Sequence, residues 1–181
     1  IEKGGYPTFM EKEIFEQPDS IKNAFRGRII EGEGVSKLGG LEPVLEKLKS
    51  TRQLIIVSCG TSYYAGLLGR YIFEHLTEFD VEVELASEFR YRRLKLDKDV
   101  TVLALSQSGE TADTLAAIKE AKRKGALVLG IVNAVGTSIA QITDAGVYNH
   151  AGPEIGVAST KIYTSQLVIL TLMALLVGRY Q

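Results

Sequence analysis

Two short runs, Leu54-Ile55-Ile56-Val57 and Val102-Leu103-Ala104-Leu105, are apolar at every position. A strand with one face in water alternates polar and apolar residues. An unbroken apolar strand must be covered on both faces, and the common way to do that is a parallel sheet flanked by helices. Further strand candidates fall at 81–86, 127–132 and 145–149, so that with 54–58 and 100–105 there are five. Helical periodicity lies between and after them, at 63–75, near 88–93, at 111–124, 138–142 and 160–177. That alternation is the mark of βαβ units. The expected fold is α/β, a three-layer α/β/α sandwich on a five-stranded parallel sheet. Right-handed crossovers narrow the topologies, and the flavodoxin-like order 2-1-3-4-5 is preferred over the dinucleotide-fold order.

Residues 1–50 have a different texture and are read as a helical lead-in to a domain spanning 51–181. Ile14, Phe15, Ile21 and Phe25 recur at helical intervals, and Pro18 stands where a second helical segment would open. Five glycines between Gly27 and Gly40 predict a loop, and Leu41, Val44, Leu45 and Leu48 predict a short amphipathic helix.

Composition removes several classes of function. The 181 residues hold 21 Lys+Arg against 22 Asp+Glu, so no global field would gather nucleic acid or an anionic membrane. Cys59 is the sole cysteine, which excludes an internal disulfide framework and the thiolate clusters of zinc or iron–sulfur sites. Neither a metal nor a cofactor is expected. Residues 167–177 form the most apolar stretch, shorter than the roughly 17 to 25 residues that span a bilayer, and read as a buried helix. Residues 1–10 lack the apolar core of a secretory signal. A cytoplasmic setting is expected.

In an open parallel sheet, ligands sit beyond the carboxyl ends of the strands at the switch point, here the loops after the first and third strands. Those loops are alike: Ser58-Cys59-Gly60-Thr61-Ser62 and Ser106-Gln107-Ser108-Gly109-Glu110-Thr111. Each offers hydroxyl donors, a glycine that lets the backbone approach closely, and the start of a helix, a combination suited to an oxyanion such as phosphate. No Lys or Arg lies at 53–69 or 101–118, so binding would rest on neutral donors. Serine and threonine at helix starts are also ordinary caps, and it is the pairing of two such loops that favours a ligand. A third segment, Gly152 to Lys161, is rich in turn formers, ends in a candidate helix cap at Ser159, and would close over the same edge.

Sharper motifs are absent. Gly32-Glu33-Gly34 lacks the third glycine of a dinucleotide fingerprint, no Walker pattern occurs, and Ser106 stands where a nucleophile elbow needs glycine. His75 and His150 are widely separated and read as structural, and Cys59 reads as a small strand-end residue.

At these three segments the chain resembles the sugar isomerase (SIS) domain family. The resemblance rests on Ser58 to Tyr63, on Ser106-Gln107-Ser108-Gly109-Glu110-Thr111-Ala112-Asp113-Thr114 and on Glu154 to Lys161, with a fourth match at Gly5-Tyr6-Pro7, Phe9-Met10 and Glu13 to Pro18. It is strongest to members that make glucosamine-6-phosphate from fructose-6-phosphate and glutamine, which are homodimeric transferases. It implies that Ser106, Gln107, Ser108 and Thr111 hold the sugar phosphate together with Thr61. It further implies that Ser62, Val157 and Ser159 contact the sugar, and that Cys59 and Gly60 line the pocket. The partner it implies is fructose-6-phosphate or glucosamine-6-phosphate. The base, ring-opening groups and lid of such enzymes belong to a second SIS half, so no catalytic residue is expected within these 181 residues. Two other readings stay open: a non-catalytic phosphosugar-sensing domain of a regulator, and an interaction half whose last apolar helix is exposed to a partner.

Overall fold

The computed structural model of the protein describes residues 2–181. Five strands form one parallel sheet: β3 (Gln53–Ser58), β4 (Asp80–Leu85), β5 (Val100–Ser106), β6 (Leu127–Val132) and β7 (Ala145–Tyr148). Their order is β4-β3-β5-β6-β7. Counted from β3 this is the expected 2-1-3-4-5, with every pairing parallel.

Alternate side chains along each strand point to opposite faces, and each face has its own helical cover. On one, Leu54, Ile56, Leu103, Leu105, Leu129 and Ile131 pack with Phe73, Leu170 and Met173. These come from α4 (Thr61–Leu76) and α8 (Lys161–Gly178). On the other, Ile55, Val57, Val102, Ala104 and Val128 meet Phe89, Ile118 and Ile139. Those come from α5 (Ala86–Phe89), α6 (Ala112–Arg123) and α7 (Ser138–Ile142). Each fully buried Leu, Ile or Phe contributes about 1.5–3 kcal/mol, so the central strands hold the sandwich together. α8 has the length and apolar composition of a membrane span, yet 61% of it is buried inside the fold. Its exposed large apolar side chain is Leu175, among the described residues, so the broad exposed face that an interaction half would need is not present on it.

The two edges differ. On β4, Asp80, Glu82 and Glu84 alternate with Val81, Val83 and Leu85, a charged edge that resists pairing with a stray strand. β7 is covered instead by a 3-10 turn, Gly39–Val44. A Cβ on Gly40 would strike the carbonyl of Gly146 on β7, so only glycine allows this crossing.

The lead-in departs from its predicted form in three places. It makes two helices, α1 (Phe9–Phe15) and α2 (Gln17–Phe25), with Pro18 in the first turn of the second. Ile14, Phe15 and Phe25 are exposed, whereas Glu13, Ser20 and Ala24 are buried. The break at Glu16 changes the facing of the two segments, and small residues on α2 permit close approach to α8, where Ser20 Oγ lies 3.4 Å from the Lys161 carbonyl. Within the predicted loop, β1 (Ile29–Ile30) and β2 (Val35–Ser36) pair as an antiparallel ribbon, tied to α8 by a 2.8 Å bond from Ser36 Oγ to the Leu172 carbonyl. The predicted helix over 41–48 is split between the 3-10 turn and α3 (Leu45–Lys49), because Pro43 supplies no N–H inside the turn. Its Leu41, Val44 and Leu48 still enter the main core. The helix expected near 88–93 lies earlier, at α5, where Ala86 and Phe89 are the buried anchors.

Candidate functional site

β3 and β5 are neighbours, with Val57 opposite Ala104. Their carboxyl ends therefore deliver Ser58 and Ser106 side by side, and the two hydroxyl loops start from adjacent points on the sheet.

Each loop turns into its helix through a glycine in a conformation other residues rarely adopt. Gly60 has φ 58° and ψ −138° and is the N-cap of α4, so no side chain caps that helix. Gly109 has φ 69° and packs so tightly on Thr137 that a Cβ would overlap its hydroxyl. Inside the second loop the hydroxyls form a small network. Ser106 Oγ accepts from the Gly109 N–H at 3.0 Å and lies 3.0 Å from Thr111 Oγ1. Ser108 Oγ accepts from the Glu110 N–H at 3.1 Å and lies 3.5 Å from Thr111 Oγ1. Thr111 is the N-cap of α6 but makes no side-chain cap bond, which leaves the helix start open toward the cleft. The Glu110 carboxylate turns away and accepts from the Ser138 N–H at 2.7 Å. The Ser138 side chain first, and this backbone bond second, hold its pKa below the ordinary glutamate range.

The 152–160 segment closes the third side. Gln107 Nε2 reaches the Glu154 carbonyl at 3.5 Å, while Gln166 on α8 donates to Ser62 Oγ at 2.9 Å. The expected cap at Ser159 is not formed. Thr160 is the N-cap of α8 but its side chain makes no cap bond to the helix, and Glu154 Oε1 accepts from the N–H groups of Thr160 and Ile162 at 2.8 and 3.3 Å. A carboxylate reaches two orphan donors where a serine reaches one.

Between these three segments is a cavity of about 260 Å³ lined by Cys59, Gly60, Thr61, Ser62, Leu105, Ser106, Gln107, Ser108, Thr111, Val157 and Ser159. All ten residues singled out from the sequence line it, with Leu105 added from the strand beneath. Among these lining residues none is Lys, Arg, His, Asp or Glu. The cleft offers hydroxyls, an amide and open helix starts, which can hold an anion by neutral donors. Cys59 is half-buried at its edge. His75 lies in the last turn of α4, and His150, at φ 56°, is held below the usual imidazole range by burial and then by the Arg28 charge. Neither lines the cleft. Among the described residues no group of three or more His, Cys, Asp or Glu is placed to hold a metal.

Three larger cavities lie elsewhere. One of about 580 Å³ runs between the ribbon and α8, one of about 540 Å³ lies at the amino ends of β3 and β4, and one of about 630 Å³ lies at the amino ends of β5 and β6. The last carries Lys122, paired with Asp144 at 2.9 Å, and Asp99, paired with Arg52 at 3.0 Å, beside the exposed Lys47 and Lys98. All three cavities lie away from the carboxyl ends where open α/β sheets take ligands.

Order, crossovers and cleft together define a flavodoxin-like α/β domain with a polar cleft at the switch point, where sheets of this kind take ligands. The chain belongs to the SIS domain family, whose sequence model matches residues 47–176. Proteins named glutamine–fructose-6-phosphate aminotransferase [isomerizing] from Bacteroides thetaiotaomicron and Chlorobaculum tepidum are 54% and 50% identical to it, over 180 and 179 residues. In each case the match covers 99% of this chain and 29% of the relative, so the chain spans less than a third of those proteins. The solved C-terminal domain of glucosamine-fructose-6-phosphate aminotransferase from Francisella tularensis superposes with a TM-score of 0.91 at 36% identity, covering 99% of this chain and 50% of that one.

Proposed function

We propose that this chain is the phosphosugar-binding first half of the isomerase region of a glutamine–fructose-6-phosphate aminotransferase, acting in the cytoplasm within a homodimeric parent enzyme. The parent would transfer ammonia from glutamine to the carbonyl of fructose-6-phosphate and move a proton from C1 to C2, giving glucosamine-6-phosphate. One observation carries the reading: hydroxyl and amide donors of two adjacent strand-end loops converge with the 152–160 segment on a single cleft.

In this reading Thr61, Ser106, Gln107, Ser108 and Thr111 hold the phosphate. Ser62, Val157 and Ser159 face the sugar, and Cys59 and Gly60 complete the wall. Anchoring the phosphate fixes the reacting carbons relative to groups supplied by the rest of the parent enzyme, which lowers the entropic part of the barrier. Neutral donors suit a product that must leave. The lead-in, residues 1–50, acts with 51–181 as one cooperative unit, since Leu38, Leu41, Val44 and Leu48 share its core.

Titration of the 181-residue chain with fructose-6-phosphate, followed by amide NMR, should move Thr61, Ser106, Ser108 and Thr111 first. Incubation with fructose-6-phosphate and ammonia should give no glucosamine-6-phosphate above a blank. Shifts confined to the lysine-bearing cavity around Lys122 would overturn the assignment of the cleft, and clear product would overturn the assignment of catalysis to other parts of the parent enzyme.

A further inference from the structure

Glu13 is 3% exposed, which is unusual for a glutamate. It sits on α1, outside the stretch that the family model matches. Its two carboxylate oxygens accept from successive backbone N–H groups of the 152–160 segment: Oε1 from Ile155 at 2.6 Å and Oε2 from Gly156 at 2.9 Å. The approach is close enough that a Cβ on Gly156 would lie 2.6 Å from Oε2. Both partners are therefore specified, a carboxylate on one side and a glycine on the other. Burying a charge is costly unless it is fully hydrogen-bonded, and a two-pronged bond to a backbone fixes both position and direction. The next residue of the segment is Val157, and Ser159 follows two further on. Both line the cleft.

We infer that Glu13 is a positioning residue: its carboxylate clamps the Ile155–Gly156 backbone and so sets where Val157 and Ser159 stand over the bound sugar. The inference rests on the phosphosugar reading of the cleft. The clamp acts on the sugar side, and the clamped peptide meets the hydroxyl loops through the long 3.5 Å bond from Gln107 Nε2 to the Glu154 carbonyl, so its loss weakens sugar recognition more than phosphate recognition. Glutamine at this position keeps one acceptor oxygen and presents an NH₂ to the second N–H, so Glu13→Gln breaks half of the pair and makes the other half repulsive.

The decisive experiment compares wild-type chain with Glu13→Gln, Glu13→Asp and Gly156→Ala by NMR titration against fructose-6-phosphate and against inorganic phosphate, with amide hydrogen exchange on each protein. Glu13→Gln is expected to weaken fructose-6-phosphate about tenfold, the size of a lost charge-assisted hydrogen bond, while inorganic phosphate binding changes less than about twofold. Gly156→Ala attacks the same contact from the loop and should give the same split, which keeps the test decisive if Glu13→Gln fails to fold. Equal weakening of both ligands, or of neither, overturns the clamp. If the wild-type chain binds neither ligand, the phosphosugar reading fails, and exchange alone decides the clamp. Loss of protection at Ile155 and Gly156 with Thr160 still protected supports it, and unchanged protection overturns it. Partial recovery of both affinity and protection in Glu13→Asp relative to Glu13→Gln is expected, because aspartate restores the carboxylate but is one methylene shorter.

Discussion

The cleft has two kinds of wall. The hydroxyl loops after β3 and β5 are built largely from within: a strand end, one glycine with positive φ and, in the second loop, the mutual bonds of Ser106, Ser108 and Thr111, braced on α7 through Glu110 and Gly109. The 152–160 segment is built from outside, fastened by Glu13 from more than 140 residues away and by Glu154 to the start of α8. A wall of the first kind is as rigid as the sheet that carries it. A wall of the second kind depends on the lead-in, through the two bonds from Ile155 and Gly156 to Glu13.

The contrast predicts very different costs for substitutions on the two sides. Gly109→Val should be the most damaging single change, because it places a branched side chain at φ 69° and drives it into Thr137. The expected loss is about 3 kcal/mol or more in urea denaturation, with phosphate binding abolished. A variant of near wild-type stability would mean that the loop relaxes freely and that the first wall is not rigid. Ser106→Ala comes next. It removes an acceptor for the Gly109 N–H and a partner of Thr111 in a site that is almost fully buried. We expect about 1–2 kcal/mol of destabilisation and roughly tenfold weaker binding of fructose-6-phosphate and inorganic phosphate alike. A loss limited to the sugar phosphate would erase the distinction between the two walls.

The same division explains what could be read from the sequence. The hydroxyl loops were legible because what marks them is local: apolar runs that demand a buried strand, then Ser, Gly and Thr, then a helix. The three-layer sandwich followed from the same runs, since only a two-sided cover satisfies Leu54 to Val57, while the strand order came from the handedness of the crossovers. The external fastening was not legible. Glu13 lies between Lys12 and Ile14 in a stretch whose apolar residues, Ile14, Phe15 and Phe25, suggested the inward face, and a glutamate there reads as a solvated charge. Burial of Glu13 is set by partners 142 and 143 positions away, and no periodicity reports such a pairing. Ser159 failed as a cap for a related reason. A carboxylate six residues before Thr160 out-competes it, and the turn that brings Glu154 back is not encoded as a repeat.

A smaller effect is expected from the second fastening. Glu154→Ala leaves the Thr160 and Ile162 N–H groups without their cap, worth about 1 kcal/mol by analogy with other N-terminal caps. In equilibrium unfolding this should appear as a shifted midpoint with an unchanged m-value. Fructose-6-phosphate affinity should fall a few-fold while inorganic phosphate is unaffected. A matching loss of phosphate affinity would show that the segment supports the hydroxyl loops as well.

The mildest prediction concerns acid. Lys161 at the start of α8 is 6% exposed and donates to Glu16 at 2.6 Å, with Lys12 also 3.6 Å from the same carboxylate. The hydrogen bond from Lys161 is the main reason the Glu16 carboxyl stays ionised below its ordinary range. A carboxyl whose pKa is lower folded than unfolded adds stability that is complete above the unfolded value, about 4.3, and lost as pH falls through the folded one. Because Glu16 keeps 34% of its side chain in water, screening limits the gain to about 1 kcal/mol or less. Wild type should therefore exceed Glu16→Gln in urea midpoint at pH 7, and the two curves should converge below about pH 4. The second hydroxyl loop has a carboxylate of its own with a lowered pKa, Glu110, but both proteins share it and it cancels from the comparison. A gap that persists unchanged into acid would show that Glu16 acts through packing alone, and would leave Glu13 as the acidic side chain of α1 that fastens the outer wall.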